Sequence, residues 1–178
     1  MKKFFAAILL VAAILTTGCL DDAADFDEDL PNTAQAMAKT MPTFSAKNLD
    51  GAPVTNEIFA SKKITVVNIW GTFCPPCIGE MPELGELARS LPADAQLIGL
   101  LCDAQDGSEE IQEAKKILRD AGADFVNIVP DAALMNFLSN VDAVPTTIFV
   151  NSKGEIVGRM IVGADVDGYK NELAKLLK

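Results

Sequence analysis

Histidine is absent from all 178 residues, and tryptophan and tyrosine occur once each. Without histidine, zinc-finger pairings, serine–histidine chemistry and haem ligation by histidine are excluded. Aromatic residues supply only 6% of a chain that is 49% hydrophobic, so its core must be aliphatic. A core of that size folds without disulfides as staples. Positive charge is scarce as well, with 15 Lys+Arg against 25 Asp+Glu and a net charge of −10. That deficit argues against a nucleic-acid partner and against electrostatic docking on anionic lipid. Long apolar runs are also missing. The run at residues 4–15 spans 12 positions, short of the ~20 that a membrane-spanning helix requires. The length suits one domain preceded by an export segment.

The first residues read as that segment. Lys2 and Lys3 precede the apolar run, and Thr16, Thr17 and Gly18 then supply small residues before Cys19. This ending resembles a bacterial lipobox, in which the cysteine becomes the lipidated first residue of the mature protein, although Thr16 stands where leucine is usual. An uncleaved signal anchor and plain secretion are the alternatives, and each of the three exports the domain. Six acids crowd residues 21–30, a density at which like charges repel and solvate. The expected organisation is a lipoprotein-type signal peptide over 1–18, an acidic disordered tether over 19–40 and a folded domain over 41–178. Loss of Lys2 and Lys3 with the signal peptide takes the net charge from −10 to −12.

From Met41 onward, strand-like and helix-like patterns alternate. A short strand near 43–47 leads through Asp50-Gly51 to a helical stretch near 55–60. Residues 64–70 are β-branched and apolar on both faces, as in a central buried strand. Helical spacing follows from Cys74 to about Ser90 through Ile78, Met81, Leu84, Leu87 and Ala88, and residues 96–102 form a second buried strand. Ser108 is the expected N-cap of a helix that runs to Asp120 and ends at Gly122. A strand at 125–129, a helix at 131–140, and a hairpin of 146–151 with 155–161 around Ser152-Lys153-Gly154 come next. Asp165 or Asp167 then caps a last helix that runs to Leu177. The sum is an α/β fold with a mixed sheet flanked by helices.

Trp70-Gly71-Thr72-Phe73-Cys74-Pro75-Pro76-Cys77 lies at the junction of a buried strand and an amphipathic helix. Two intervening residues let both sulfurs meet across one helical turn. As N-cap, Cys74 would face unpaired amides and the positive end of the helix dipole, both of which favour the thiolate, the nucleophile in disulfide exchange. Cys77, one turn inside and buried, would resolve the mixed disulfide. A structural staple closing so small a loop would stabilise little. A zinc site would need a second ligand pair, and only Cys102 and acids remain. Pro75 and Pro76 lack N–H groups, so Cys74 keeps only the amide of Cys77. Weaker thiolate stabilisation makes a poorer oxidant, which predicts a reducing protein.

Residues 70–82, taken with Val144-Pro145-Thr146, resemble the TlpA/ResA group of membrane-anchored thiol–disulfide oxidoreductases, and the resemblance extends over essentially all of 41–178. It implies a thioredoxin fold with a central βα-type insertion between Cys77 and Pro145. It also implies a reductant of disulfide-containing client proteins, cytochrome c maturation factors among them, recharged by a membrane thiol transporter of the CcdA/DsbD type. Pro145 matches the cis-proline that faces the dithiol in thioredoxin-like proteins, which would leave the Val144 backbone to pair with a client strand. Trp70, Pro75, Pro76, Val144 and Pro145 are the expected client-contacting residues. The group also has a proline at the position of Pro82, inside the helix, where a kink is expected. Asn68 replaces the buried aspartate of cytosolic thioredoxins, and an amide cannot take a proton. In the TlpA/ResA group a glutamate at the position of Glu80 fills that role. Glu80 is therefore expected to be partly buried, with a raised pKa, and to relay the proton of Cys77, the alternative being a solvated surface glutamate.

Cys102 reads either as a buried small hydrophobe or as a third redox thiol. The exchange chemistry requires no cofactor and no metal. A peroxidase would place its cysteine in a Pro-x-x-x-Thr-x-x-Cys context, which Cys74 lacks. A copper chaperone of this fold would have three residues between its cysteines and a distal histidine. An oxidising or isomerising foldase remains as the alternative to a reductase.

Overall fold

The structure is a computed structural model that describes residues 38–178; the expected signal peptide, Cys19 and nearly all of the acidic tether lie outside the described residues. Seven strands run in chain order as β1 (Ser45–Asn48), β2 (Pro53–Thr55), β3 (Ile64–Trp70), β4 (Ala95–Leu101), β5 (Asn127–Val129), β6 (Thr146–Asn151) and β7 (Ile156–Val162). They form one mixed sheet in the order β2-β1-β5-β4-β3-β6-β7. Every residue of β3 is buried, as its two-faced apolar sequence requires. It pairs parallel with β4 and antiparallel with β6.

Side chains alternate across a strand, so β3 divides into two sets. Ile64, Val66 and Trp70 join one apolar layer with residues of α2 (Pro75–Ser90), α3 (Glu110–Ala121) and α5 (Val166–Leu176). Val67 and Ile69 join the other, against Phe59 of α1 (Glu57–Ala60) and Leu134, Phe137 and Leu138 of α4 (Ala132–Leu138). By the same alternation Asn68 projects towards α2. Cys77, Met81, Leu84 and Leu87 recur at helical spacing and seat α2 on that face. Helix α2 continues through Pro82.

Helix α3 and strand β5 intervene between β4 and α4, and β5 inserts between β4 and β1 in the sheet. Asp131 and Asp165 cap α4 and α5 by accepting from Leu134 N at 2.9 Å and Gly168 N at 2.8 Å. Ser108 does not cap α3. The N-cap is Glu109, and the Ser108 hydroxyl instead accepts from Gln105 N at 3.2 Å within its own turn. The end of α3 is as expected, with Gly122 at φ 62 in the left-handed region. Strand β2 carries no alternation that would announce it. The Asn48 side chain, accepting from Asp50 N and Ala52 N at 3.0 and 2.8 Å, folds it back on β1. Among the described residues no helix is long and apolar enough to cross a membrane.

Candidate active site

Cys74 is the N-cap of α2, in extended conformation, and its Sγ accepts from Cys77 N at 3.3 Å. Pro75 and Pro76 fill the first two helical positions, so this amide is the donor the helix end offers to the sulfur. Cys74 and Cys77 form a disulfide with their Cα atoms 5.3 Å apart. Only 4% of Cys74 is exposed, less than a freely accessible tip would give, and Cys77 beneath it is fully enclosed. The Val144–Pro145 bond is cis. Val144 O lies 3.5 Å from Cys74 Sγ, so the loop before β6 faces the dithiol. Pro145 is buried, Val144 half-buried, and Pro75 and Pro76 exposed.

Trp70 is a correction to the expected client surface. It is fully buried, and its Nε1 donates to Asn127 Oδ1 at 2.9 Å, so the inserted β5 holds the indole where no client reaches it. The exposed aromatic at this end is Phe73, 67% accessible and immediately before Cys74. Sequence reasoning passed over Phe73 because an apolar residue beside a buried strand reads as core. The loop bearing it is clamped by Thr72, whose N and Oγ1 both donate to Asp103 Oδ2, at 2.8 and 2.7 Å. Cys102 is half-buried and unbridged. Burial first, and then the neighbouring Asp103, pushes its thiol up to about 11. A thiol so raised holds its proton at neutral pH, which disfavours it as the attacking nucleophile.

Glu80 is almost completely buried, at 4% exposure. Asn68 Nδ2 donates to its Oε1 at 2.8 Å and Tyr169 Oη donates to its Oε2 at 3.0 Å. Asn68 Nδ2 also donates to Thr147 Oγ1 at 3.1 Å, while Asn68 Oδ1 is buried with no partner among the described residues. Burial raises the Glu80 pKa above the ordinary carboxylate value. The bonds from Asn68 and Tyr169 oppose that rise, and the nearby Glu83 adds to it. Tyr169, from α5 and 89 residues away in sequence, had no local signal that could have found it.

A disulfide-forming CxxC pair at a helix N-terminus, facing a cis-proline on a thioredoxin fold, defines a thiol–disulfide oxidoreductase. The Redoxin family matches residues 36–177, so the chain belongs to that family, in its TlpA/ResA-like, thioredoxin-fold branch. It is similar to the thiol:disulfide interchange protein DsbE of Vibrio cholerae, with 24% identity over 173 residues, covering 96% of this chain and 89% of that protein. It is also similar to the thiol-disulfide oxidoreductase ResA of Halalkalibacterium halodurans, 25% identical over 135 residues that cover 76% of this chain and 73% of the relative. The crystal structure of StoA from Bacillus subtilis superposes with a TM-score of 0.60 at 17% identity, covering 76% of this chain and 99% of that one, a likeness of fold. The protein is thus an enzyme of the ResA/DsbE type that works through the Cys74–Cys77 pair.

Proposed function

We propose that the protein reduces client disulfides outside the cytoplasm, held at a bacterial membrane by lipid on Cys19. The observation that carries the reducing direction is the single backbone donor, Cys77 N, left to Cys74 Sγ by the two prolines. A helix N-terminus with fewer amides stabilises the thiolate less, and a less stabilised reduced form gives up its electrons more readily. The Cys74 thiolate attacks one sulfur of the client disulfide, and the other client sulfur leaves as a thiolate. Cys77 then loses its proton to Glu80 and attacks Cys74 Sγ, expelling the first client sulfur, which takes up a proton. The client gains two electrons and the enzyme is left with the Cys74–Cys77 disulfide. A membrane thiol transporter of the CcdA/DsbD type recharges it, and its clients belong to cytochrome c maturation or to the repair of oxidised exported proteins. The client docks on Pro75, Pro76, Val144 and Pro145, with Phe73 added to that surface.

The reduction potential tests the direction. A value near that of thioredoxin, about −270 mV, is expected, whereas one near about −120 mV, as in strong oxidants, makes the protein an oxidising foldase. Glu80→Gln tests the proton acceptor. Client release should slow by about 10²-fold and lose its dependence on the Glu80 titration, as when a general base is removed. Release that keeps the wild-type rate and pH profile refutes the role. Stability supplies an independent check. Because burial raises the folded pKa above the unfolded one, the folded protein holds this proton more tightly. Stability therefore falls as pH rises from the ordinary carboxylate value through the raised folded value, by about 1.4 kcal/mol for each unit separating the two. In Glu80→Gln that fall should vanish from denaturation curves.

A further inference from the structure

Tyr169 is fully enclosed; its hydroxyl is hydrogen-bonded to three polar groups and also lies beside the Thr147 side chain. Glu80 Oε2 lies at 3.0 Å and Gly163 O at 2.8 Å, while Asp165 N donates to the phenol oxygen at 3.3 Å. Two of the three are acceptors, and a phenol has one proton to give. With Glu80 ionised, the charged carboxylate is the stronger acceptor and takes that proton, so Gly163 O goes without it. With Glu80 protonated at Oε2, its own O–H donates to the phenol oxygen, and the phenol O–H turns to Gly163 O. The amide of Asp165 is served in both states. Gly163 N donates in turn to Pro145 O at 2.8 Å, and Val162 is in register with Thr146, so Gly163 adjoins the cis-proline loop.

We propose that Tyr169 is a positioning residue that couples the protonation of Glu80 to the Gly163–Pro145 corner beside the dithiol by switching its one hydroxyl proton between Glu80 and Gly163. The functional consequence rests on the reading of Glu80 as the proton acceptor of Cys77: accepting that proton redirects Tyr169 towards the loop that contacts the client. Burial first pushes the Tyr169 phenol up to about 12, so it keeps its proton throughout the working range and serves as a donor. The ionisable groups facing Glu80 are Glu83 from α2, Tyr169 from α5, and Asp165 and Asp167 from the start of α5, while Cys77 precedes it by three residues on α2. Strands β3 and β6 contribute only the neutral Asn68 and Thr147. Asn68 holds Oε1 as a donor, which leaves Oε2 as the oxygen that changes role.

The oxidised full-length protein isolates the effect, because Cys74 and Cys77 do not titrate there. Carbon-13 shifts of the Glu80 carboxyl and the Gly163 carbonyl, followed against pH, should share one midpoint in the wild type. In Tyr169→Phe the Glu80 midpoint should rise by about one pH unit, the loss expected for one hydrogen bond to a charged group. The Gly163 carbonyl should then no longer follow it. A wild-type Gly163 carbonyl that ignores the Glu80 titration overturns the proposal without need of any variant. An unchanged Glu80 midpoint in Tyr169→Phe overturns it as well. The two readings fail separately: if Glu80→Gln releases clients normally while the shared midpoint persists, the proton-relay role falls and the coupling stands.

Discussion

A Cys77→Ala protein is expected to accumulate as mixed disulfides between Cys74 and its clients, visible as reductant-sensitive adducts on non-reducing gels and by mass spectrometry. In the wild type the resolving sulfur lies within bonding distance of Cys74, since the two form a disulfide. An oriented intramolecular nucleophile acts at an effective concentration of about 10⁵ M or more, so release that depends on external thiol should be at least about 10³-fold slower. The enclosure of the pair strengthens the trap, because a client seated on the 4%-exposed Cys74 shields the mixed disulfide from small thiols. The double variant Cys74→Ser, Cys77→Ala should form no adducts. Equal adduct formation by both proteins would assign the attacking sulfur elsewhere, and Cys102, with its raised pKa, would then have to be reconsidered.

Gly99→Ala should cost about 2–4 kcal/mol, the sum expected for overpacking a tight core and disrupting a buried hydrogen bond. Gly99 sits in the middle of β4, opposite Asn68 of β3 and Asn127 of β5. A methyl group there overlaps Asn127 Oδ1 and comes within 2.9 Å of Trp70 Nε1, so it strikes both partners of the bond that anchors the indole. Neither partner has room to yield, because Trp70 is fully enclosed and the other end of the Asn127 amide donates to Phe125 O at 2.9 Å. Denaturant midpoints measured at equal slope report the loss directly. A loss below about 1 kcal/mol would mean that the Trp70–Asn127 pair adapts and that β5 does not fix the indole.

The local patterns were legible where a side chain's role depends on its near neighbours. The β-branched run of β3, the helical spacing after Cys74 and the Asp165 cap each act over a few residues, and each forms the element its pattern implied. Where short segments depend on a distant surface, the sequence is silent. Strand β2 exists because β1 offers an edge, and Ser108 lost its capping role to a turn that uses the same hydroxyl.

At the site, the amino-acid sequence alone determined the dithiol, its place at a helix start and the two missing amide donors, because these follow from residue type and spacing. The proline opposite was implied by the family resemblance and placed by the fold. Tertiary structure decided the rest. It buried Trp70 beneath the β5 insertion, left Phe73 on the surface and enclosed Glu80 between Asn68 and Tyr169. Burial and long-range partners set those outcomes, and both are properties of where distant segments meet rather than of any one stretch of chain.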